Sequence, residues 1–310
     1  MVMTTDRSLG QQHGLIVLNK PQGPSSTGCL ERIKKSLQQR KIGHAGTLDP
    51  FARGVLLVLL GRGTKIAPYL TEGRKVYWGR LRLGLETDTY DLQGEVVAER
   101  PWGQVAPEDV ADQIKAWTRL TEQEVPPYAA AKHQGRTFYS MMRQGERPPV
   151  KMKPVDIDQA EVLDLSFPEI TFRVGCSHGT YIRSLAHSLG KRIGCGAILT
   201  DLAREESAPF RLEQAVDLKA ILEDPGRFVQ NVLDLPRSLP HWPKLHLEPS
   251  QVSRVKNGHW LKTSEVAGDS MLPSSGRAMA LAPDGKPVAL METRERQQEA
   301  YWAVLRGLWS

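Results

Sequence analysis

Between residues 170 and 189 the spacing of the apolar side chains changes period, and that change restricts the chain to folds that mix strands with helices. Ile170, Phe172, Val174 and Cys176 alternate with Thr171, Arg173 and Gly175, the period of a sheet with one buried face. Ile182, Leu185, Ala186 and Leu189 then follow at helical spacing. Both patterns recur. Residues 15–18 and 76–83 read as strands, while Leu30, Ile33 and Leu37 make one apolar helix face behind the capping hydroxyls of Ser25, Ser26 and Thr27. Arg32, Lys34 and Lys35 make the outer face of that helix basic, and Val110, Ile114 and Trp117 predict another helix. The order is irregular and contains no βαβ repeat, so α and β content are both predicted without a doubly wound sheet.

Residues 224–246 are rich in Pro and Leu, with Pro225, Pro236, Pro240 and Pro243, and read as a connecting segment rather than a regular element. They divide the chain into residues 1–244 and 245–310. In the second unit two short apolar runs, 278–282 and 288–291, flank Pro283-Asp284-Gly285-Lys286 and predict a hairpin.

The longest apolar run, 55–60, is far short of the roughly 20 residues of a membrane helix. Residues 1–14 lack the apolar centre of a signal peptide, so a cytoplasmic protein is expected. Cys29, Cys176 and Cys195 have neither disulfide nor zinc spacing and read as small buried hydrophobes. The net charge of +6 points to a polyanionic partner, and its location sharpens the point. Across residues 125–154 Lys132, Arg136, Arg143, Arg147, Lys151 and Lys153 face a single acid, Glu146, and are interleaved with Tyr128, His133, Phe138 and Tyr139. Such a segment can hold phosphates while stacking on bases; it can equally be a solvated loop with its aromatics in the core.

Residues 41–50, Lys-Ile-Gly-His-Ala-Gly-Thr-Leu-Asp-Pro, carry the densest chemical signal. Gly43 and Gly46 free the backbone for a tight loop, and Pro50 biases Asp49 toward an extended conformation. A carboxylate presented this way can be a nucleophile or acid–base group at the floor of a cleft, or can satisfy the N–H groups of its own loop.

Residues 43–50 followed by Ala52, Gly54, Val55 and Leu56 resemble the signature of the TruB family of tRNA pseudouridine synthases. Asn19-Lys20-Pro21 with Gly23 and Ser25-Ser26 resembles the opening of that family, Lys75-Val76-Tyr77 its tyrosine motif, and Cys176-Ser177-His178-Gly179-Thr180-Tyr181-Ile182-Arg183-Ser184-Leu185-Ala186 a third motif. Leu202 sits where the family has a substrate-contacting leucine. The resemblance spans nearly the whole chain, including a C-terminal unit similar to a PUA RNA-binding domain. It implies an α+β fold: a catalytic domain with a mixed, largely antiparallel sheet flanked by helices, over 1–244, and a small β-rich PUA-like domain over 245–310. It further implies an isomerase that turns the uridine at position 55 in the T arm of tRNA into pseudouridine by base flipping and covalent catalysis, as a monomer with no obligatory protein partner and no cofactor.

The same resemblance assigns roles. Asp49 is the nucleophile, attacking either the ribose carbon or C6 of uracil. Arg183 pairs with it; Tyr77 lies against the flipped base and is a candidate for moving a proton; Tyr181 and Leu202 form other walls. His44 stacks within the rearranged RNA loop, and Lys20 helps near the phosphates. Lys132, Arg136 and Arg143 of the basic segment are expected to grip the T arm. Each alone also has a structural reading, Tyr77 and Tyr181 as half-buried strand residues and Leu202 as core. Three positions depart from the family pattern: Arg53 stands where Thr is common, residues 126–132 lack a Ser and are one residue short, and Leu202-Ala203-Arg204 has one basic residue where two are common. Two rivals use the same surface: a guide-RNA-dependent synthase subunit, and a non-catalytic tRNA-binding protein that helps the RNA fold.

Overall fold

A computed structural model describes residues 10–268 and 276–309. The first strand, β1 (Gly14–Lys20), leads into helix α1 (Ser26–Ser36), whose N-terminus is capped by Ser25 Oγ accepting from the Gly28 amide at 3.0 Å. Cys29, Leu30 and Ile33 are buried, whereas Arg32, Lys34 and Lys35 are exposed. Strands β2 (Ile42–Ala45), β3 (Arg53–Leu60) and β4 (Lys75–Leu83) follow, then α2 (Pro107–Lys115) with Val110 and Ile114 inward. Next come β5 (Ile157–Ser166), β6 (Glu169–Cys176), α3 (Ile182–Ile193), β7 (Ala197–Ser207), β8 (Phe210–Arg211) and β9 (Val216–Asp217). They form one nine-stranded sheet in the order β5-β6-β4-β7-β3-β1-β9, with β2 added on β3 and β8 on β7. Only β7/β3 and β1/β9 are parallel pairs, so the sheet is mixed and largely antiparallel, as expected.

The two faces of this sheet are covered by different partners. Ile16 and Leu18 of β1, with Leu56, Val58 and Leu60 of β3, meet the apolar faces of α1, α2 and α3. The alternate residues, Leu15 and Val17 with Val55, Leu57 and Leu59, point the other way and pack against Met279, Leu281, Leu290 and Leu308 from the C-terminal end of the chain. Burial on both faces explains the unbroken apolar run at 55–60.

That C-terminal end is a second sheet of β10 (Lys244–His246), β11 (Leu261–Lys262), β12 (Ala267–Gly268), β13 (Arg277–Leu281), β14 (Pro287–Arg296) and β15 (Glu299–Gly307), in the order β11-β15-β14-β13-β10-β12. The expected hairpin is β13/β14.

The reading of residues 224–246 as purely connecting needs correction, because helices Pro225–Gln230 and Leu235–Ser238 lie within them. Asp224 and Asp234 cap these helices, and Pro225 and Pro236 sit in their first turns, where proline has no amide hydrogen bond to lose. The prolines open helices here rather than break them. Gly43 likewise lies in β2, while Gly46, at φ +85°, makes the turn beyond it.

Candidate active site

Asp49 sits in the loop joining β2 to β3, and that loop is held by side chains from three directions. From α1, Ser26 Oγ accepts from the Leu48 amide at 2.8 Å and donates to the Leu48 carbonyl at 2.9 Å. From β1, Lys20 Nζ donates to the carbonyls of Ala52 at 2.6 Å, Pro21 at 2.9 Å and Pro50 at 3.3 Å. From β7, the fully buried Arg204 donates to the carbonyls of Val55, Gly46 and Thr47 at 2.7, 3.1 and 3.4 Å. Buried carbonyls of an irregular loop must find donors, and these three residues supply them.

The loop presents the carboxylate to α3. Arg183, in the first turn of that helix, grips it bidentately: Nε donates to Oδ2 at 2.8 Å and Nη2 to Oδ1 at 3.2 Å. The Arg183 side chain is 5% exposed and that of Asp49 35%, so the cation is inside and the carboxylate faces a cavity. Arg183 has other partners: Nη1 donates to the Thr89 carbonyl at 2.9 Å, Nη2 to the Tyr128 carbonyl at 3.0 Å, and Nε lies 3.6 Å from the buried carboxylate of Asp91. Burial pushes the Asp91 carboxyl above the usual carboxylate range, against the Thr89 hydrogen bond and the Arg183 charge.

The cavity holds about 270 Å³ and is lined by Asp49, Tyr77, Tyr181, Arg183, Leu202 and Arg204, with Lys75, Lys153, His178 and Ala129 among its other walls. Tyr77 and Arg204 are register partners on β4 and β7. Tyr77 is 8% exposed; burial pushes its phenol up, opposed chiefly by Arg204, so it stays protonated at neutral pH. Lys75, almost wholly buried, is pushed down to about 8 by burial and by Arg204. Among the described residues no group of three or more His, Cys, Asp or Glu is placed to hold a metal ion.

The structure therefore brings Asp49, Tyr77, Tyr181, Arg183 and Leu202 to one cavity. Tyr181 is not on a strand, as expected, but is the N-cap residue of α3, because the chain leaves β6 and turns through residues 177–180 before the helix starts. His44 lies on β2 outside the cavity lining, half-buried, with Nδ1 lacking a partner, and burial and Arg204 lower its pKa. Lys20 is not exposed to take a phosphate: it is fully buried, its ammonium turned to the carbonyls of Pro21, Pro50 and Ala52. Arg53 is engaged by Asp201 and lies 5.3 Å over the Trp78 ring.

Residues 125–154 border the same cavity. Val125, Ala129 and Phe138 form a small apolar cluster with Tyr181, so Phe138 is unavailable for stacking on a base. His133 and Tyr139 are exposed, as are Lys132, Arg136 and Arg143. Arg136 is bridged to Glu146 at 2.8 Å, and Arg143 lies 5.6 Å over the Tyr139 ring. Sequence reasoning missed Thr89 and Asp91, which reach the site from a non-periodic polar turn, and gave Lys75, Lys153 and Arg204 no place at it.

Residues 34–182 match the family described as TruB family pseudouridylate synthase (N terminal domain). The chain is 53% identical over 302 residues to the tRNA pseudouridine synthase B of Nitratidesulfovibrio vulgaris (strain DSM 19637 / Miyazaki F), covering 97% of this chain and 98% of that one. It is 36% identical to the protein of the same name from Geobacter sulfurreducens, covering 96% and 95%. Among solved structures it is similar to a chain of a Cbf5-Nop10-Gar1 complex, with a TM-score of 0.72, 25% identity and coverage of 96% of this chain and 85% of that one.

Proposed function

The chain belongs to the TruB family of tRNA pseudouridine synthases, and from that premise we propose that it acts on the uridine at position 55 in the T arm, with Asp49 as the covalent nucleophile. The observation that carries the assignment is the Asp49–Arg183 pair: a bidentate guanidinium fixes a carboxylate that remains one-third exposed at a cavity floor. Isomerisation breaks the N1–C1′ bond, turns the uracil and joins C5 to C1′, with the C5 proton lost and N1 gaining one. A covalent bond from Asp49, to the ribose carbon or to C6, keeps the intermediate from escaping during the turn.

The target base must leave its stack, at a cost of a few kcal/mol, and enter the cavity. Tyr77, Tyr181 and Leu202 then form its walls, Tyr77 as a neutral phenol. His44 is proposed to meet the RNA loop from outside the cavity, while Lys132, Arg136 and Arg143 take phosphates. Lys20 is assigned to the loop instead. Residues 1–244 supply the chemistry, and 245–310 act as a PUA-like RNA-binding unit. The stand-alone reading is favoured over a guide-RNA-dependent subunit because the relatives at 53% identity over nearly the full length are named tRNA pseudouridine synthase B. No described helix is long and apolar enough to cross a membrane, and a tRNA substrate fits a cytoplasmic enzyme.

The test is Asp49→Asn. Arg183 keeps Thr89, Tyr128 and Asp91, so the variant is not left with an unpaired buried cation and should fold. Purified protein given an unmodified tRNA transcript and no other component should bind it with near wild-type affinity and form no detectable pseudouridine. A folded variant that still turns over near the wild-type rate would falsify the nucleophile assignment, and wild-type protein inert without added guide RNA would exclude the stand-alone reading.

A further inference from the structure

One turn along α3 from Arg183, outside the lining of the cavity, two aromatic rings stack face to face. Tyr90 and His187 have ring centroids 3.7 Å apart and an interplanar angle of 6°. His187 is four residues after Arg183 on the same helix, so both side chains project from one face, one turn apart. Tyr90 belongs to the turn that supplies the inner partners of Arg183, between Thr89, whose carbonyl accepts from Nη1, and Asp91, whose carboxylate lies 3.6 Å from Nε. The turn therefore meets the helix at consecutive residues, two through Arg183 and one through the ring of His187.

Two further observations mark the stack as more than filling. Tyr90 has φ +66°, a left-handed conformation that an aromatic residue seldom adopts without outside support. The turn is otherwise tied within itself, Thr87 Oγ1 donating to the Asp91 carbonyl at 2.7 Å and Thr89 Oγ1 to its carboxylate at 2.7 Å, and it reaches β7 through the Leu199 amide donating to the Tyr90 carbonyl at 3.0 Å. Apart from the contacts of Arg183 itself, none of these bonds sets the distance of the turn from α3. We propose that the Tyr90–His187 stack positions the turn 87–91 against α3 and thereby fixes the Arg183 guanidinium, and through it the Asp49 carboxylate, in the reactive orientation. Burial and the neighbouring Lys191 push His187 down to about 4, so the ring is neutral and stacks as a flat, uncharged surface. Both are positioning residues; neither lines the cavity.

The inference rests on the Asp49 reading, and the experiment separates the two. Tyr90→Ser, Tyr90→Phe, His187→Ala, His187→Phe and the double variant Tyr90→Ser/His187→Ala are compared with Asp49→Asn by single-turnover rate at saturating enzyme, tRNA Kd and melting temperature. Loss of either ring should lower the single-turnover rate on the order of tenfold, the scale of a small misplacement of a catalytic group. Kd should stay within about twofold, and the phenylalanine variants should retain the rate. The double variant should be no slower than the slower single one, because either truncation already abolishes the stack. Using both sides of the stack keeps the test intact if one truncation fails to fold. A folded Tyr90→Ser at the wild-type rate, a Tyr90→Phe as slow as the serine variant, or losses that multiply in the double variant would each overturn the positioning role. An active Asp49→Asn would instead overturn the reading beneath it.

Discussion

At the scale of single residues, the Asp49 loop depends on cations used as scaffolding. Lys20 is fully buried with its ammonium on three carbonyls, and burial pushes its pKa down to about 8, against about 10.5 in an unfolded chain. Below pH 8 both states hold the proton, and above 10.5 neither does. Between these limits the unfolded chain holds a proton that the folded chain has released, so stability rises with pH across the window. Comparing wild type with Lys20→Met by urea unfolding isolates the contribution, because Lys75, also pushed to about 8, is common to both. The advantage of wild type should grow from pH 7.5 to pH 9.5 by on the order of 1 kcal/mol; an advantage that shrinks would show that the lysine stays charged in the fold. The residue identities at this site were legible because several motifs occur in order, and Asp49, Arg183, Tyr77 and Leu202 do meet. Which cation is exposed and which faces backbone was not legible, since Lys20 and Lys132 differ in surroundings rather than in local sequence.

At the scale of elements, residues 125–154 combine a small apolar anchor with an exposed basic edge. Lys132 lies on the two-residue strand Lys132–His133, paired with Arg136–Thr137, and Arg143 ends the helix Phe138–Arg143. Replacing Lys132 and Arg143 by alanine should reduce the slope of log Kd against log salt by about 0.7–0.9 for each phosphate that the protein then leaves to its counterions. Arg136, already paired with Glu146, should add less. Filter binding of tRNA across a salt series measures this, and an unchanged slope removes the segment from the interface. Helices and strands with long periodic faces were legible here and elsewhere, because hydrophobic spacing alone defines them. The short helices at 225–230 and 235–238 were not: their prolines look the same in a helix's first turn as in a loop, and only the preceding aspartate caps distinguish the two.

At the scale of the whole molecule, the C-terminal sheet covers a face of the catalytic sheet. Sequence reasoning divided the chain after residue 244 but could not see that Leu15, Val17, Val55, Leu57 and Leu59 face Met279, Leu281, Leu290 and Leu308. A shared cluster between distant segments leaves no periodic trace different from an ordinary two-sided strand. Lys65 adds hydrogen bonds to the carbonyls of Gly307 at 3.1 Å and Trp309 at 2.7 Å. Truncation before Leu245 should therefore do more than weaken RNA binding: it bares an apolar sheet face and should yield aggregated or strongly destabilised protein, read by size-exclusion chromatography and melting. A truncated protein that stays monomeric and melts near wild type would show that the sheet needs no cover.

The two-sided burial of β1 also bears on how the chain is made. Strand β1 leaves the ribosome well before Leu308, yet one of its faces waits for that residue. Until Leu308 has emerged, the nascent chain must leave that face to solvent or to a chaperone, and the Lys20 that anchors the Asp49 loop belongs to this same strand. Translation interrupted before Leu308 would thus produce chains whose Asp49 loop rests on an unfinished support.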